Sequence, residues 1–239
     1  MQITKEVSRC FRRAYGYLAQ ARLLNEEIKS YYFDSLALNI QGLNQKAFEL
    51  LLDIFGDKPQ AKSIPCDRHL FGSGITPNGF IHYLSTVFGR LDKRYIITGN
   101  EGTGKSTILK KIFQAAMYLG YDVEAYHCAL IPSKIEHLLI PRLGVGIITS
   151  TTAHHYEREK NDSIIDTSDY LNFKALETFK NDMKEASSRY VSALDRGVSF
   201  IDRAKTAHDE LEGYYVKSMD FDKLQIRKDQ VMERILSYA

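Results

Sequence analysis

The distribution of proline and glycine along this 239-residue chain constrains its fold more than any other feature. All five prolines lie between Pro59 and Pro141, and 11 of the 15 glycines lie between Gly56 and Gly146. Proline interrupts a helix because it lacks an amide hydrogen, and glycine favours turns because it has no side chain to restrict the backbone. The turns therefore concentrate in the middle of the chain. The pattern predicts an α/β core with a helical flank on each side.

The composition is that of a globular protein, with 44% hydrophobic and 26% charged residues. A net charge of +2 gives no reason to expect nucleic-acid binding. No apolar run approaches the roughly 20 residues that a membrane-spanning helix needs, and residues 1–20 lack the apolar segment of a signal peptide. The three cysteines, Cys10, Cys66 and Cys128, are too few for a disulfide framework. We expect a cytoplasmic protein with reduced thiols and no membrane segment.

The C-terminal flank has a clear helical period. Apolar residues recur at steps of three or four, or sums of these, from Phe173 to Tyr214, which predicts a helix over about residues 170–215. At 1.5 Å per residue such a helix is roughly 65–70 Å long. A break near residues 219–222 and a second amphipathic segment ending at Tyr238 predict that the flank forms a long helical hairpin.

The N-terminal flank repeats this design. Adding 183 to each residue number aligns residues 13–36 with residues 196–219 without gaps, and six of the 24 positions are identical. The alternative is that any two amphipathic helices match to some extent, but the match includes polar positions and a Tyr-Tyr pair, which favours a true repeat. The identical pairs are Arg13/Arg196, Ala21/Ala204, Glu27/Glu210, Tyr31/Tyr214, Tyr32/Tyr215 and Ser35/Ser218.

The repeat predicts a domain organisation. If the repeated unit is a core followed by a hairpin, residues 1–58 form the helical hairpin of a preceding unit, residues 59–170 the core, and residues 171–239 a second hairpin. Within the core, residues 94–98, 121–128 and 145–151 are strand candidates, and residues 105–119 a helix that Gly120 ends. Strand, helix and strand at this spacing predict a parallel sheet with right-handed crossovers. Residues 69–76 predict an earlier strand, followed by a helix from Asn78 to Phe88.

One motif in the core carries a specific chemistry. Residues 99–106 read Gly-Asn-Glu-Gly-Thr-Gly-Lys-Ser, which fits G-x-x-x-x-G-K-[ST] in full, with the strand before it and the helix after it that the motif requires. Glycines at these positions let backbone N–H groups turn inward at a helix N-terminus, where an anion is favoured. The motif predicts a phosphate-binding loop formed by Gly99, Asn100, Glu101, Gly102, Thr103, Gly104, Lys105, Ser106 and Thr107.

The side chains of this loop have expected roles. Lys105 reaches the β- and γ-phosphates of a nucleoside triphosphate, Ser106 supplies a hydroxyl to Mg²⁺, and Thr107 lies near the α-phosphate. We expect ATP and Mg²⁺ as ligands, although the motif does not distinguish ATP from GTP. Glu101 fits a solvated loop residue better than a catalytic base.

The second usual component, an acid at the end of a neighbouring strand, is not evident. Thr149 stands where a carboxylate is expected, and Asp166 is a weak substitute. His127 and His154 follow candidate strands and are our candidate catalytic residues beside Lys105. A metal site, an acid/base pair, phosphate contacts and a structural role all stay open for these histidines, although no tight zinc spacing is present.

The chain resembles a known family in these motifs together with the segments 68–79, 126–128 and 135–141. It is similar to a bacterial family of tandem P-loop ATPase-like proteins, in which each of two P-loop domains precedes a long helical segment. The resemblance implies a P-loop NTPase three-layer sandwich with a mostly parallel sheet, flanked by long helical hairpins, and it places this chain in the C-terminal half of such a protein. The family consists of predicted ATPases or nucleotide-kinase-like proteins, and its first domains tend to carry Asp where Thr149 stands.

Three functions fit these observations. The first is a slow ATPase that couples its nucleotide state to movement of the long helices. The second is a nucleotide-binding regulatory module without turnover, and the third is a small-molecule phosphotransferase of the kinase type. The expected partners are a nucleoside triphosphate and either a preceding P-loop domain or another copy of the chain bound through the long helices.

Overall fold

A computed structural model describes residues 2–151, 155–157 and 159–238. The fold is α/β, with a six-stranded sheet, a separate two-stranded hairpin and two long helices. The strands are β1 (Asp67–Phe71), β2 (Ser73–Thr76), β3 (Gly79–His82), β4 (Lys93–Thr98), β5 (Val123–His127), β6 (Ile135–Ile140), β7 (Val145–Thr149) and β8 (Ser163–Asp166). The helices are α1 (Gln2–Asp34), α2 (Ile40–Phe55), α3 (Leu84–Phe88), α4 (Lys105–Tyr118), α5 (Phe173–Leu176), α6 (Lys180–Ser218) and α7 (Phe221–Leu236).

The large sheet has the order β1-β5-β6-β7-β4-β8 and is mostly parallel. Strand β6 alone runs antiparallel to both of its neighbours. Strand β4 lies between β7 and β8 and is parallel to both, so its carboxyl end meets theirs at one edge of the sheet. The predicted parallel sheet is therefore confirmed, with one reversed strand that the sequence did not indicate.

Helices cover both faces of this sheet. On one face, α4 crosses β5 and β6 and buries Ile108, Leu109 and Ile112. On the opposite face, α3 buries Leu84 and Phe88. The strand residues alternate accordingly, because successive side chains of a strand point to opposite faces. This arrangement is compatible with three layers.

The two long helices pack against each other. Helices α1 and α6 are antiparallel, since the Tyr31 ring lies 5.5 Å from that of Phe179 near one end and Glu6 lies 4.0 Å from Arg203 towards the other. Small residues allow a close approach. A Cβ on Gly197 would lie only 2.8 Å from the side chain of Leu18, so a larger residue there would force Leu18 or the helices to move.

The repeat-related residues meet in this helix pair. Tyr17 and Phe200, which an offset of 183 relates, stack with ring centroids 5.6 Å apart. Ala21 and Ala204, related by the same offset, are both fully buried. An antiparallel pair of repeated helices has approximate twofold symmetry about the point where equivalent residues meet, which here is the stack of Tyr17 on Phe200.

The two predicted helical hairpins are wrong. Helix α2 does not fold back along α1 but packs against α4, where Leu43, Leu50 and Ile54 join the core. Helix α7 does not fold back along α6, and every residue from 221 to 236 is exposed. The long helices of the two flanks pair with each other instead. Helical periodicity shows that one face of a helix is buried, but not what covers that face.

Two further expectations need correction. Asn78 lies in the turn between β2 and β3, and the helix predicted to begin there starts only at Leu84. Three strands are not predicted by the sequence pattern: β6, β8 and β3, the last of which lies within the predicted helix. Within the described residues, we find no helix both long and apolar enough to cross a membrane.

Candidate functional site

The glycine-rich loop connects the carboxyl end of β4 to the first residue of α4, Lys105. Gly102 and Gly104 have φ angles of 87° and 98°, in the left-handed region that favours glycine. Space is also short at both positions: a Cβ would lie 3.0 Å from Tyr32 at Gly102 and 2.8 Å from Leu43 at Gly104. The glycines are therefore required both by the backbone conformation and by the close packing of α1 and α2 onto the loop.

Lys105 lies in the hollow of the loop. Its Nζ donates hydrogen bonds of 2.5 Å to the carbonyl oxygens of Gly99 and Asn100. The residue is only 3% exposed, and this burial lowers the pKa of Lys105 to about 8. The loop thus presents a desolvated ammonium group beside its own backbone, a chemical environment that suits a multiply charged anion.

Hydroxyl groups fix the base of the loop. The Thr103 hydroxyl lies within hydrogen-bond distance of two oxygens, the carbonyl oxygen of Asn100 at 2.8 Å and the Thr167 hydroxyl at 2.6 Å. Thr167 in turn donates to the carbonyl oxygen of Thr98 at 2.8 Å. Both threonines are fully buried. Thr103 therefore holds the loop in shape from inside the protein and does not face a ligand.

Glu101 forms an ion pair with a lysine from the segment between β5 and β6. Its Oε2 lies 2.8 Å from the Nζ of Lys134, which is also 3.6 Å from Glu136. Burial opposes the ionisation of Glu101, but Lys134 and Lys105 hold its pKa below the ordinary value. The pKa of Lys134 is raised for the complementary reason, because the attraction of the two acids outweighs its burial. The expectation that Glu101 is merely solvated is wrong: it links the loop to a second segment of the core.

A cavity of about 290 Å³ opens beside the loop. One part of its wall consists of loop residues and lysines, and the other part of apolar residues from α1, α2 and their connection. A second cavity of about 640 Å³ adjoins the same loop residues, Ser106 and Thr107, on the side of Phe113 and Ile131. The sequence motif predicted the loop, but no local signal indicated that α1 and α2 form part of the cavity wall.

The strand ends beside the loop carry few acids. Strand β7 ends at Thr149, which is buried and whose N–H donates to His137 Nδ1 at 3.2 Å. Asp166 ends β8, directly beside Thr98 of β4. Its Oδ1 accepts a hydrogen bond of 2.8 Å from the N–H of Ser168. Asp166 is thus the exposed carboxylate at this edge of the sheet, and its position next to the loop was only weakly indicated by the sequence.

The structure separates His127 from the loop. His127 ends β5, and strands β6 and β7 lie between β5 and β4. Its Nε2 lies 2.7 Å from Nδ1 of His69, whose Nε2 is 3.0 Å from an oxygen of Asp67. These three residues form a polar cluster on β1 and β5, so His127 does not join Lys105 as we expected. His154 lies outside the described residues.

The residues present fit a triphosphate and a divalent cation. Gly102, Gly104, Lys105, Ser106 and Thr107 all line the 290 Å³ cavity, so an ammonium group and two hydroxyls border the same space. Lys105 and the loop N–H groups would hold the phosphates, and the Ser106 hydroxyl would contribute to Mg²⁺ coordination, as is usual in loops of this kind.

Comparison with known proteins found no relative of this chain. No protein-family model matches the chain, and no match was found among the curated proteins or the solved structures.

Proposed function

We propose that this protein is a P-loop NTPase that binds ATP with Mg²⁺ through residues 99–107. The observation that carries the proposal is the loop itself: left-handed glycines lie between a buried parallel strand and a helix, and a buried lysine begins that helix. Backbone N–H groups at a helix N-terminus together with a lysine bind phosphate in many nucleotide-binding proteins. Lys105 is the residue that would contact the β- and γ-phosphates.

We further propose that the nucleotide state is coupled to movement of the long helices. Lys29 and Tyr32 of α1 contact Gly102 of the loop. Tyr190 of α6 is largely buried, and its surroundings include Glu101 and Lys134. Helix α1 thus contacts the phosphate-binding loop, and α6 packs along α1. A change in loop conformation on nucleotide binding would therefore act on α1 and, through it, on α6.

Hydrolysis is proposed to be slow. Of the two strands next to β4, β7 ends in the hydroxyl of Thr149, whereas rapid P-loop enzymes hold Mg²⁺ or the attacking water with a carboxylate at the end of a neighbouring strand. Asp166 is near but is engaged in capping the turn that follows β8. The absence of a carboxylate at Thr149 equally favours the second candidate, a nucleotide-binding module without turnover.

Phosphate release and hydrogen exchange together test these proposals. We expect Mg²⁺-dependent release of phosphate from ATP at a low rate, and ATP-dependent changes in amide exchange at residues 24–34 of α1. Turnover that requires an added small-molecule acceptor would instead indicate a phosphotransferase, whose acceptor would occupy the 640 Å³ cavity beside Ser106. Unchanged exchange in α1 at saturating ATP would contradict the coupling.

A pH dependence follows from the low pKa of Lys105, about 8. A bound triphosphate favours the charged form of Lys105. Below this pH the lysine is already protonated in the free protein, so ATP affinity does not change with pH. Above it, binding must take up a proton, and affinity falls by up to about tenfold per pH unit. Between about pH 7 and about pH 9.5 we expect a roughly thirtyfold loss of ATP affinity.

Calorimetry in buffers of different ionisation enthalpy measures both the affinity and the proton uptake. The Lys105→Arg variant is the control, because a guanidinium stays charged throughout this range. A parent protein with a flat profile, or an arginine variant with the same slope as the parent, would show that Lys105 is not the titrating group.

The proposal extends to partners. The exposed apolar residues of α7, among them Leu224, Val231 and Ile235, support contact of the C-terminal helices with another polypeptide, either a preceding P-loop domain or a second copy of the chain. Light scattering across a range of protein concentrations tests the second of these.

A further inference from the structure

The cavity beside the loop has two chemically different parts. Three lysines and one acid, Glu101, line the part next to the loop, which gives this part an excess of positive charge; the lysines are Lys29, Lys105 and Lys134. Phe33, Leu38, Ile40 and Leu43 supply apolar surface to the remainder. Ligand sites commonly combine an apolar wall with a few polar groups that fix orientation. A nucleotide has the same division, with a charged triphosphate at one end and a flat, largely apolar base at the other.

Phe33 and Ile40 are conspicuous in this wall because they are 60% and 59% exposed. They lie near the end of α1 and at the start of α2, on either side of the turn that joins the two helices. Leu43, one turn further along α2, is buried against Gly104 of the loop. Apolar surface therefore runs from the loop to the cavity mouth.

The expected direction of the triphosphate also favours this apolar wall as the site of the base. Lys105 is expected at the β- and γ-phosphates and Thr107 near the α-phosphate, so the base leaves the loop beyond Thr107. Two cavities are open to it there. The larger one has a mixed lining, in which Phe113 and Ile131 alternate with polar residues such as Glu26, Lys110 and Ser133, whereas the smaller one has a continuous set of apolar residues from α1, α2 and their connection.

We infer that the turn between α1 and α2 forms the nucleobase subsite, with the base packed against Phe33 and Ile40. The inference rests on the proposed function and names a further part of the same site. It assigns to the N-terminal flank a direct role in ligand binding. A nucleotide held in this way contacts α4 through its phosphates and the α1–α2 segment through its base, so its binding joins the core to the helix pair.

The test compares ATP with inorganic tripolyphosphate, both as Mg²⁺ complexes. Tripolyphosphate occupies the phosphate loop but has no base. In the Phe33→Ala/Ile40→Ala variant we expect ATP affinity to fall about tenfold, or about 1.4 kcal/mol, while tripolyphosphate affinity stays within about twofold of the parent value, a limit of about 0.4 kcal/mol. The parent protein should accordingly bind ATP more tightly than tripolyphosphate.

A matched control is available on the same two helices. Tyr15 on α1 and Phe48 on α2 are similarly exposed, at 63% and 54%, and neither lines the cavity. The Tyr15→Ala/Phe48→Ala variant should bind both ligands as the parent does. Circular dichroism and thermal unfolding verify that each variant is folded, which is expected because all four side chains are solvent-exposed.

The possible outcomes separate this inference from the proposed function. If the Phe33→Ala/Ile40→Ala variant binds ATP as tightly as the parent, or loses both ligands equally, the nucleobase subsite is refuted while the phosphate loop stands. If the folded parent binds neither ligand, the proposed function fails and the subsite with it. Loss of ATP affinity alone, absent from the control, supports the subsite.

Discussion

The Lys105→Ala variant should bind ATP at least about a hundredfold more weakly than the parent protein. Hydrogen bonds to charged groups contribute about 1.5–3 kcal/mol each, and in the proposed complex the Lys105 ammonium exchanges its bonds to the Gly99 and Asn100 carbonyls for two to phosphate oxygens. A loss of about 3 kcal/mol corresponds to more than a hundredfold in Kd at about 1.4 kcal/mol per tenfold. Isothermal titration with Mg²⁺ present measures the change directly.

Two controls make this experiment specific. Lys62→Ala removes the same charge from an exposed position outside the site and should leave Kd unchanged. Lys105→Arg keeps the positive charge in a larger planar group, so it should lose less ATP affinity than Lys105→Ala. If Lys105→Ala bound ATP as tightly as the parent, the assignment of residues 99–107 as the triphosphate site would be wrong.

The phosphate loop could be predicted from the sequence because its determinants are local. The left-handed conformations depend on glycine at Gly99, Gly102 and Gly104, and the loop is flanked by an apolar strand and an amphipathic helix. The helix predicted over residues 105–119 is observed as Lys105–Tyr118. Predicting this strand and this helix requires no knowledge of contacts between residues that are distant in sequence.

The surroundings of the loop depend on contacts that are distant in sequence. Lys134 pairs with Glu101 across 33 residues, and Gly104 packs against Leu43, some 60 residues earlier. Nothing in the local pattern of α2 indicates that its apolar face covers α4 instead of α1. The same limit explains the wrong hairpins and the separation of His127 from Lys105, since strand order is not encoded in the spacing of strands along the chain.

The small residues of the two long helices, α1 and α6, favour their pairing. Ala14, Ala21, Gly197 and Ala204 are all buried between or beside the helices, and small side chains permit closely approaching backbones. The repeat at an offset of 183 also matched these positions to one another, Ala14 with Gly197 and Ala21 with Ala204. Two copies of one helix with the same small-residue face can pair with each other, as α1 and α6 do.

Removing Asp162 is expected to destabilise the core by about 3 kcal/mol, because loss of one partner of a buried ion pair typically costs about 3–5 kcal/mol. Its carboxylate is fully buried and accepts hydrogen bonds of 2.7 Å from Nε of Arg94 and from the N–H of Glu159. The Arg94 side chain is only 4% exposed. Among the described residues, the Asp162→Ala variant leaves this guanidinium with a single acidic partner, Glu159, whose side chain is 62% exposed. We take the lower end of the range because that partner remains.

Urea unfolding followed by circular dichroism measures the change in the free energy of unfolding. Glu159→Ala is the matched control: it removes a carboxylate from the same arginine, but an exposed one, and should cost no more than about 1 kcal/mol. A double variant, Arg94→Met/Asp162→Leu, replaces the pair by apolar side chains and should recover part of the loss, since an unpaired buried charge no longer remains. Equal destabilisation by Asp162→Ala and Glu159→Ala would show that the buried ion pair contributes no more to the free energy of unfolding than the exposed one.

The position of the ion pair predicts how this variant affects binding. Arg94 is the second residue of β4, at the end of the strand opposite the phosphate loop. The folded Asp162→Ala protein should therefore bind ATP with nearly the parental Kd while unfolding at a lower urea concentration. ATP should raise the unfolding midpoint of both proteins by a similar amount, because a ligand that binds only the folded state stabilises it according to its concentration and Kd. A variant that loses affinity as well would show that strand β4 transmits the disturbance to the loop.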